Sequence, residues 1–280
     1  MTDILDKLHE VASRYGENNL VMTGGAKSSV GIGERYVFKV VEGGKIDAAN
    51  HKEQRVLQTL ADSLPRSAAR LIPTSVDGVF APGLGYIEVQ TRLRGITPQF
   101  SSPSLPEELG TFLKALHAVP APDGITEFEG DDPRPLFDYL VTSALKFQAK
   151  LMPAVNQYDQ KLVTAAVGLV RRYVDRHDSI PPLVIVHKDL SLRNLLVDDG
   201  HLSGVIDWAA AQTAPREWEF AILMQRFPVE LEIIQKSYGQ VLDNELTRCC
   251  AALQAIRFWK SFMDDSAFVN DQRALLEQVL

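Results

Sequence analysis

The stretch VIVHKDLSLRNLLVDDGHLSGVIDW, residues 184–208, decides how this sequence is read. His187 and Asp189 follow the apolar run Val184-Ile185-Val186, Asn194 comes five positions after Asp189, and Asp207 closes the run Gly204-Val205-Ile206 thirteen positions beyond Asn194. Short apolar runs bounded by Gly and Asp read as strands around turns, so the polar set falls on strand ends. Phosphoryl transfer from a nucleotide needs a carboxylate to orient the attacking hydroxyl, oxygen ligands for Mg²⁺, and cationic or backbone donors on the phosphates. The H-x-D-x-x-x-x-N spacing of His187, Asp189 and Asn194 offers the carboxylate and one metal ligand. Asp207 stands where a second metal-binding carboxylate is required. Alone, the spacing also suits a polar turn at a strand end; the second Asp after a β-hairpin makes it a site.

Upstream residues test this reading, because such a site also needs a phosphate cover and a lysine. In Thr23-Gly24-Gly25-Ala26-Lys27-Ser28-Ser29, Gly24 and Gly25 let backbone amides approach phosphates, and Ser28 and Ser29 bring hydroxyls. A Gly/Ser turn is also the ordinary form of a hairpin. Lys39 lies inside the apolar strand pattern YVFKV and must reach either water or an anion. Glu53, on the helix that follows, is its candidate partner; otherwise both lie on the surface.

Working outward, the 280 residues are 45% hydrophobic and 23% charged, enough for one large domain or two lobes in contact. No apolar run approaches the ~20 residues of a bilayer span. The N-terminus MTDILDKLHEVASRYG reads as an amphipathic helix and not as a signal peptide. The two cysteines, Cys249 and Cys250, are adjacent, which gives neither disulfide geometry nor metal-ligand spacing. A cytoplasmic setting is therefore expected. Residues 1–95 carry 12 Lys and Arg against 11 Asp and Glu, whereas residues 96–280 carry 17 against 25. The acidic second part argues against nucleic acid and favours a cationic small molecule, unless it is simply a solubilising surface.

Residues 20–41 suggest a short antiparallel meander, 47–62 a helix with Val56, Leu57 and Leu60 on one face, and YIEVQTRLRG a strand running into Gly95. ITPQFSSPSLP, residues 96–106, is the candidate boundary. Beyond it helices dominate: Leu109, Phe112, Leu113 and Leu116 share a face between Pro106 and Pro120. Segments 136–151, 157–177 and 216–280 also read as helical. The expected fold class is α+β, with an N-terminal nucleotide-binding lobe at 1–95 and a helical C-terminal lobe at 96–280 holding the acceptor.

The segments TGGAKSS, YVFKV, HKEQRVLQTL, TRLRGITP, LKALHAVP, IVHKDLSLRNLLVDDGHLSGVIDW and PREWEFA occur in this order over about residues 20–225. In them the chain resembles the aminoglycoside phosphotransferase-like kinases, the small-molecule branch of the bilobal protein-kinase fold, which includes macrolide, choline and homoserine kinases. The resemblance implies that Asp189 is the catalytic base, Asn194 and Asp207 are Mg²⁺ ligands, Lys39 touches the α- and β-phosphates of ATP or GTP, and Glu53 positions Lys39. Gly24, Gly25, Ser28 and Ser29 would cover the phosphates. The backbone near Gln90, Thr91, Arg92 and Leu93 would hold adenine, and His187 would brace the loop.

The chain departs from the family pattern in having Lys188 for a usual Gly, Ser191-Leu192-Arg193 for a usual His-Pro-Gly, and Glu219 for a usual Asp. Lys188 and Arg193 either add charge near the transferring phosphate or point to solvent, and Glu219 is expected to anchor the loop. The acceptor is open. Glu127, Glu129, Asp131 and Asp132 form an acidic loop that either faces a cationic acceptor or is merely solvated. Trp208, Trp218, Phe220, Trp259 and Phe262 either wall an apolar ligand or belong to the core. The leading reading is an antibiotic O-phosphotransferase for resistance or self-protection. The alternative is a kinase of a metabolite such as choline, ethanolamine, homoserine or a sugar, and a pseudokinase is disfavoured because Lys39, Asp189, Asn194 and Asp207 are all present.

Overall fold

Alternation along Tyr36-Val37-Phe38-Lys39-Val40-Val41 sends Phe38 and Val40 to one face of a strand and Lys39 to the other. The computed structural model, which describes residues 2–24, 29–41, 49–81, 85–99, 102–120, 134–179 and 181–280, builds a sheet on that alternation. Strands β1 (Val21–Gly24), β2 (Ser29–Ile32), β3 (Tyr36–Val41), β4 (Ser75–Ala81) and β5 (Gly85–Thr91) form an antiparallel sheet in the order β1-β2-β3-β5-β4. Phe38 and Val40 join Ile87 and Val89 of β5 against Leu8, Val11 and Ala12 of helix α1 (Thr2–Arg14). The opposite face is polar: Lys39 sits directly across from Glu88, and Gln90 is two positions further along β5.

Helix α2 (Ala49–Ser63) ties this sheet to the remainder. Its Val56, Leu57 and Leu60 are buried, and they share a cluster with Leu105, Leu109, Phe112, Leu113 and Leu116 of α4 (Leu105–Leu116). That cluster crosses residue 95, because the apolar side of α2 packs on the helical part while Glu53, on the same helix, reaches Lys39. Short α3 (Arg66–Ala69) follows α2. Gly110 of α4 lies so close to α8 (Leu231–Tyr238) that a Cβ there would stand 2.4 Å from the Ile234 carbonyl oxygen.

The largest cluster is helical, from α5 (Arg134–Leu151), α6 (Gln157–Arg176), α9 (Asn244–Ser261) and α10 (Ser266–Val279). Asn156, Asp243 and Asp265 cap α6, α9 and α10 by accepting hydrogen bonds from first-turn amides. Cys249 and Cys250 are free thiols buried on α9. No described helix is long and apolar enough to cross a membrane.

Two small antiparallel pairs carry the decisive stretch: β6 (Leu183–Val186) with β9 (Gln212–Pro215), and β7 (Leu195–Asp198) with β8 (His201–Val205). The meander, the 109–116 face and the later helices agree with the sequence reading. Strands β4 and β9 were not expected, and β5 stops at Thr91 instead of running into Gly95. Trp208, Trp218, Phe220 and Trp259 are core residues at 2% exposure or less, whereas Phe262 is exposed and meets the Phe268 ring at a tilt of 55°.

Candidate active site

The polar face of the sheet holds one half of the site. Lys39 Nζ donates to both Glu53 oxygens at 2.7 and 2.8 Å and to Asp207 Oδ1 at 3.2 Å. Burial opposes the ammonium charge, but Glu53 and Asp207 beside it hold its pKa above that of an ordinary lysine. Glu53 Oε1 also accepts from Gln90 Nε2 (3.1 Å) and from the backbone N–H of Trp208 (3.2 Å), which ties α2 to the residue after Asp207. Gln90 Nε2 further donates to Glu88 (2.9 Å). Burial first, and then the Glu53 charge, push the Glu88 carboxyl up to about 7, against the opposing pull of Gln90 and Lys39.

The second half is the loop after β6. His187 is fully buried: its Nε2 is 2.9 Å from the Ile206 carbonyl oxygen, and its Nδ1 accepts from Asp189 N–H at 3.3 Å. Burial lowers its pKa despite the nearby carboxylates, so the ring is neutral, with the proton on Nε2. Glu219 of α7 (Glu217–Arg226) accepts from the backbone N–H groups of His187 and Lys188, which is the anchoring role expected of it. Complete burial drives its carboxyl up to about 7, partly offset by those two amides. Asn194 Nδ2 donates to the Asp189 backbone oxygen (2.7 Å) and to its Oδ2 (3.1 Å), and so fixes the Asp189 side chain.

Both departures in this loop have defined places. Lys188 adopts φ 68°, in the left-handed region, and is not directed to solvent: its ammonium donates to Gln212 Oε1 (2.7 Å) and lies 5.6 Å from the Trp218 ring centre. Arg193 instead donates from one guanidinium nitrogen to both Asp189 oxygens, at 3.1 and 3.0 Å.

Asp207 also has a left-handed backbone, φ 65°, and its side chain is 51% exposed. Ile206 N–H donates to the Asn194 carbonyl oxygen (2.9 Å), which brings Asn194 beside the Asp207 turn. The Asn194 amide nitrogen is committed to Asp189, which leaves its side-chain oxygen for another partner, and Asp207 Oδ2 makes no hydrogen bond among the described residues. No group of three His, Cys, Asp or Glu residues suited to a metal ion occurs among the described residues. A pair of oxygen donors of this kind suits Mg²⁺, which completes its shell with water and phosphate oxygens.

The connection after β5 refines the expected base-binding segment. The Gln90 backbone is paired within the sheet, Thr91 N–H donates to Thr74 and Arg92 N–H to Arg35. Leu93 N–H is not engaged among the described residues, and the Leu93 side chain packs at Gly204 of β8. Gly95 has φ 112°, and a Cβ there would stand 2.7 Å from the Val197 oxygen that receives the Ile96 N–H. Gly24 and Ser29 pair across the ends of β1 and β2. Gly25 and Ser28 lie outside the described residues, as do Glu127, Glu129, Asp131 and Asp132. Sequence reasoning missed Glu88 and the side-chain role of Gln90, although the alternation in YIEVQT, read against Lys39, would have found both.

The sequence profile of the phosphotransferase enzyme family matches residues 21–253. The chain belongs to this family. Its members transfer phosphate to hydroxyl groups, and this protein is accordingly a phosphotransferase. Among solved structures the fold is similar to that of APH(2")-IIIa in complex with GDP and kanamycin (TM-score 0.75, 13% identity, 100% of this chain and 98% of that one). It is also similar to a thermostable mutant of the aminoglycoside phosphotransferase APH(4)-Ia in its apo form (TM-score 0.70, 16% identity, 98% of each chain). A third similar structure is the spectinomycin phosphotransferase APH(9)-Ia with ADP and spectinomycin (TM-score 0.64, 16% identity, 98% of this chain and 93% of that one). No curated protein sequence matches the chain significantly. The family places this protein's Lys39, Asp189, Asn194 and Asp207 within one matched region.

Proposed function

We propose that this phosphotransferase moves the γ-phosphate of ATP or GTP to a hydroxyl of a small molecule, and that the molecule is an antibiotic. The observation that carries the reading is the continuous set Glu53–Lys39–Asp207 facing a loop in which Asn194 holds Asp189. In the reaction Asp189 takes the hydroxyl proton, the acceptor oxygen bonds to the γ-phosphorus, and the bond to the bridging oxygen breaks, releasing the nucleoside diphosphate. Lys39 binds the α- and β-phosphates, and the Gly24–Ser29 turn covers them. Mg²⁺ held by Asn194 and Asp207 would neutralise charge on the phosphates. The base lies along the connection at Leu93, between an N-terminal lobe at 1–95 and a C-terminal lobe at 96–280.

Support for an antibiotic acceptor comes from similarity to structures that hold kanamycin and spectinomycin. A nucleotide requirement and two buried free thiols suit a cytoplasmic protein. A metabolite kinase is the second reading, favoured by the arginine on Asp189, which a polycationic drug does not require. Mass spectrometry with Mg-ATP or Mg-GTP against one pool of hydroxyl-bearing antibiotics and one of metabolites tests this, with Asp189→Asn as the blank. A gain of one phosphate on an antibiotic, absent with the variant, is the expected result. Phosphate on a metabolite alone would replace the antibiotic by the second reading, and no transfer at all would remove the proposal.

A further inference from the structure

The surroundings of Asp189 are cationic, although the polypeptide beyond residue 95 is acidic. Arg193 lies on the carboxylate with 69% of its side chain exposed, held by this contact alone among the described residues. A second guanidinium stands nearby. Arg226 ends α7, seven residues after Glu219 and therefore on the same helix face, about 10 Å along the axis. Glu219 grips the backbone that carries Asp189, so this face of α7 runs from the loop anchor to Arg226. Arg226 is half-buried and makes no hydrogen bond or ion pair among the described residues. Burial lowers its pKa, the Arg193 charge lowers it further, and the Asp189 and Asp271 charges pull the other way, so Arg226 feels the charges of Arg193, Asp189 and Asp271.

A partly buried guanidinium whose donors make no hydrogen bond among the described residues carries a cost that a bound anion removes. Its planar set of donors matches carboxylate and phosphate oxygens. Two such groups beside one base also repel a polycation at the point where its hydroxyl must approach, whatever attraction the outer acidic surface provides at long range. We propose that the acceptor carries an anionic group, carboxylate or phosphate, close to its reacting hydroxyl, and that Arg193 and Arg226 receive it. Arg193 then leaves Asp189 for the ligand, which frees the carboxylate to take the hydroxyl proton. The inference rests on Asp189 being the base in the reaction proposed above, and it narrows the acceptor to a hydroxy acid or a phosphorylated alcohol, antibiotic or metabolite.

The test is calorimetric binding to the enzyme loaded with a non-hydrolysable ATP or GTP analogue. The probes are short hydroxy acids of increasing length against their amides, glycerol 3-phosphate against glycerol, and kanamycin. At least one acid or phosphate binding ten-fold or more tighter than its neutral counterpart is expected. That ratio should fall to near one in Arg226→Ala, be partly kept in Arg226→Lys, and fall in the exposed, fold-neutral Arg193→Ala. No preference for any anionic probe, or tighter binding of kanamycin than of all of them, would overturn the proposal. Anion binding that disappears when the nucleotide analogue is present would also overturn it, since the arginines would then serve the nucleotide's own phosphate. If anionic probes bind with the expected preference but receive no phosphate from Mg-ATP or Mg-GTP, the anion site stands and the proposed reaction fails.

Discussion

The two halves of the site are built on opposite principles. Around Lys39 the charges are buried and mutually held: Lys39 is 14% and Glu53 5% exposed, and Glu53 alone accepts from Lys39, Gln90 and Trp208. Around Asp189 the partner is a surface arginine, 69% exposed, on a carboxylate that is 33% exposed. A buried and fully partnered group keeps its place without a ligand, whereas an exposed ion pair is worth little and is easily exchanged. In the proposed reaction the phosphate side is thus preorganised, while the proposed acceptor side is arranged to let go of one partner and take another.

Breaking the preorganised half carries the largest expected effect on stability. Glu53→Ala leaves Lys39 buried with Asp207 as its remaining partner and strips Gln90 and the Trp208 N–H of an acceptor. A loss of about 3 kcal/mol in urea unfolding is expected. Arg193→Ala, its counterpart in the exchangeable half, should change the same measurement by less than about 1 kcal/mol. The joint between the halves comes next. Gly95→Ala puts a Cβ against the Val197 carbonyl at a φ of 112° and should cost about 2 kcal/mol, read by the same unfolding curves.

A pH profile sharpens the contrast further. Folding raises Glu88 and Glu219 from 4.5 to about 7, so between those values the folded chain keeps protons that the unfolded chain has lost, and stability falls as pH rises. Buried His117, lowered from 6.5 to about 3, and His187, also lowered, act oppositely: they have shed protons that the unfolded chain holds, and stability rises up to about pH 6.5. The two pairs oppose each other from about pH 5 to 6.5. Glu88→Gln removes one falling contribution, and the slope of stability in that window should turn upward by about 1.4 kcal/mol per pH unit relative to the parent. The smallest effect is expected at Lys188, whose contact with Gln212 is offset by the strain of its φ of 68°. Lys188→Gly, which loses that contact and relieves the strain together, should shift the urea-unfolding stability by about 0.5 kcal/mol or less.

Much of this was legible in the sequence wherever a local pattern met a chemical need. The 3.6-residue period of Leu109, Phe112, Leu113 and Leu116 gave α4, and the Asp–Asn–Asp spacing found the loop and the turn of Asp207. The pairing of Lys39 with Glu53 followed from a charge inside an apolar strand. What escaped depends on long-range placement. Glu88 became part of the site because β5 pairs with β3 in a register that sets it opposite Lys39. Arg226 came into the account because it shares the face of α7 on which Glu219 grips the loop of Asp189. The side of α2 facing the helical core is likewise invisible in its own periodicity, which shows that a face is buried but not against what.

Whether a preorganised phosphate side serves an exchangeable base is read most directly from two measurements on one preparation of Asp189→Asn. They are the affinity for Mg-nucleotide and the rate of phosphate transfer to the acceptor found in the screen. Transfer should fall by at least about 100-fold while nucleotide affinity stays within about 3-fold of the parent, since the base acts on the acceptor hydroxyl. A variant that loses nucleotide affinity in step with its rate, or that transfers phosphate as fast as the parent, would contradict the assignment of Asp189 and with it the division of the site.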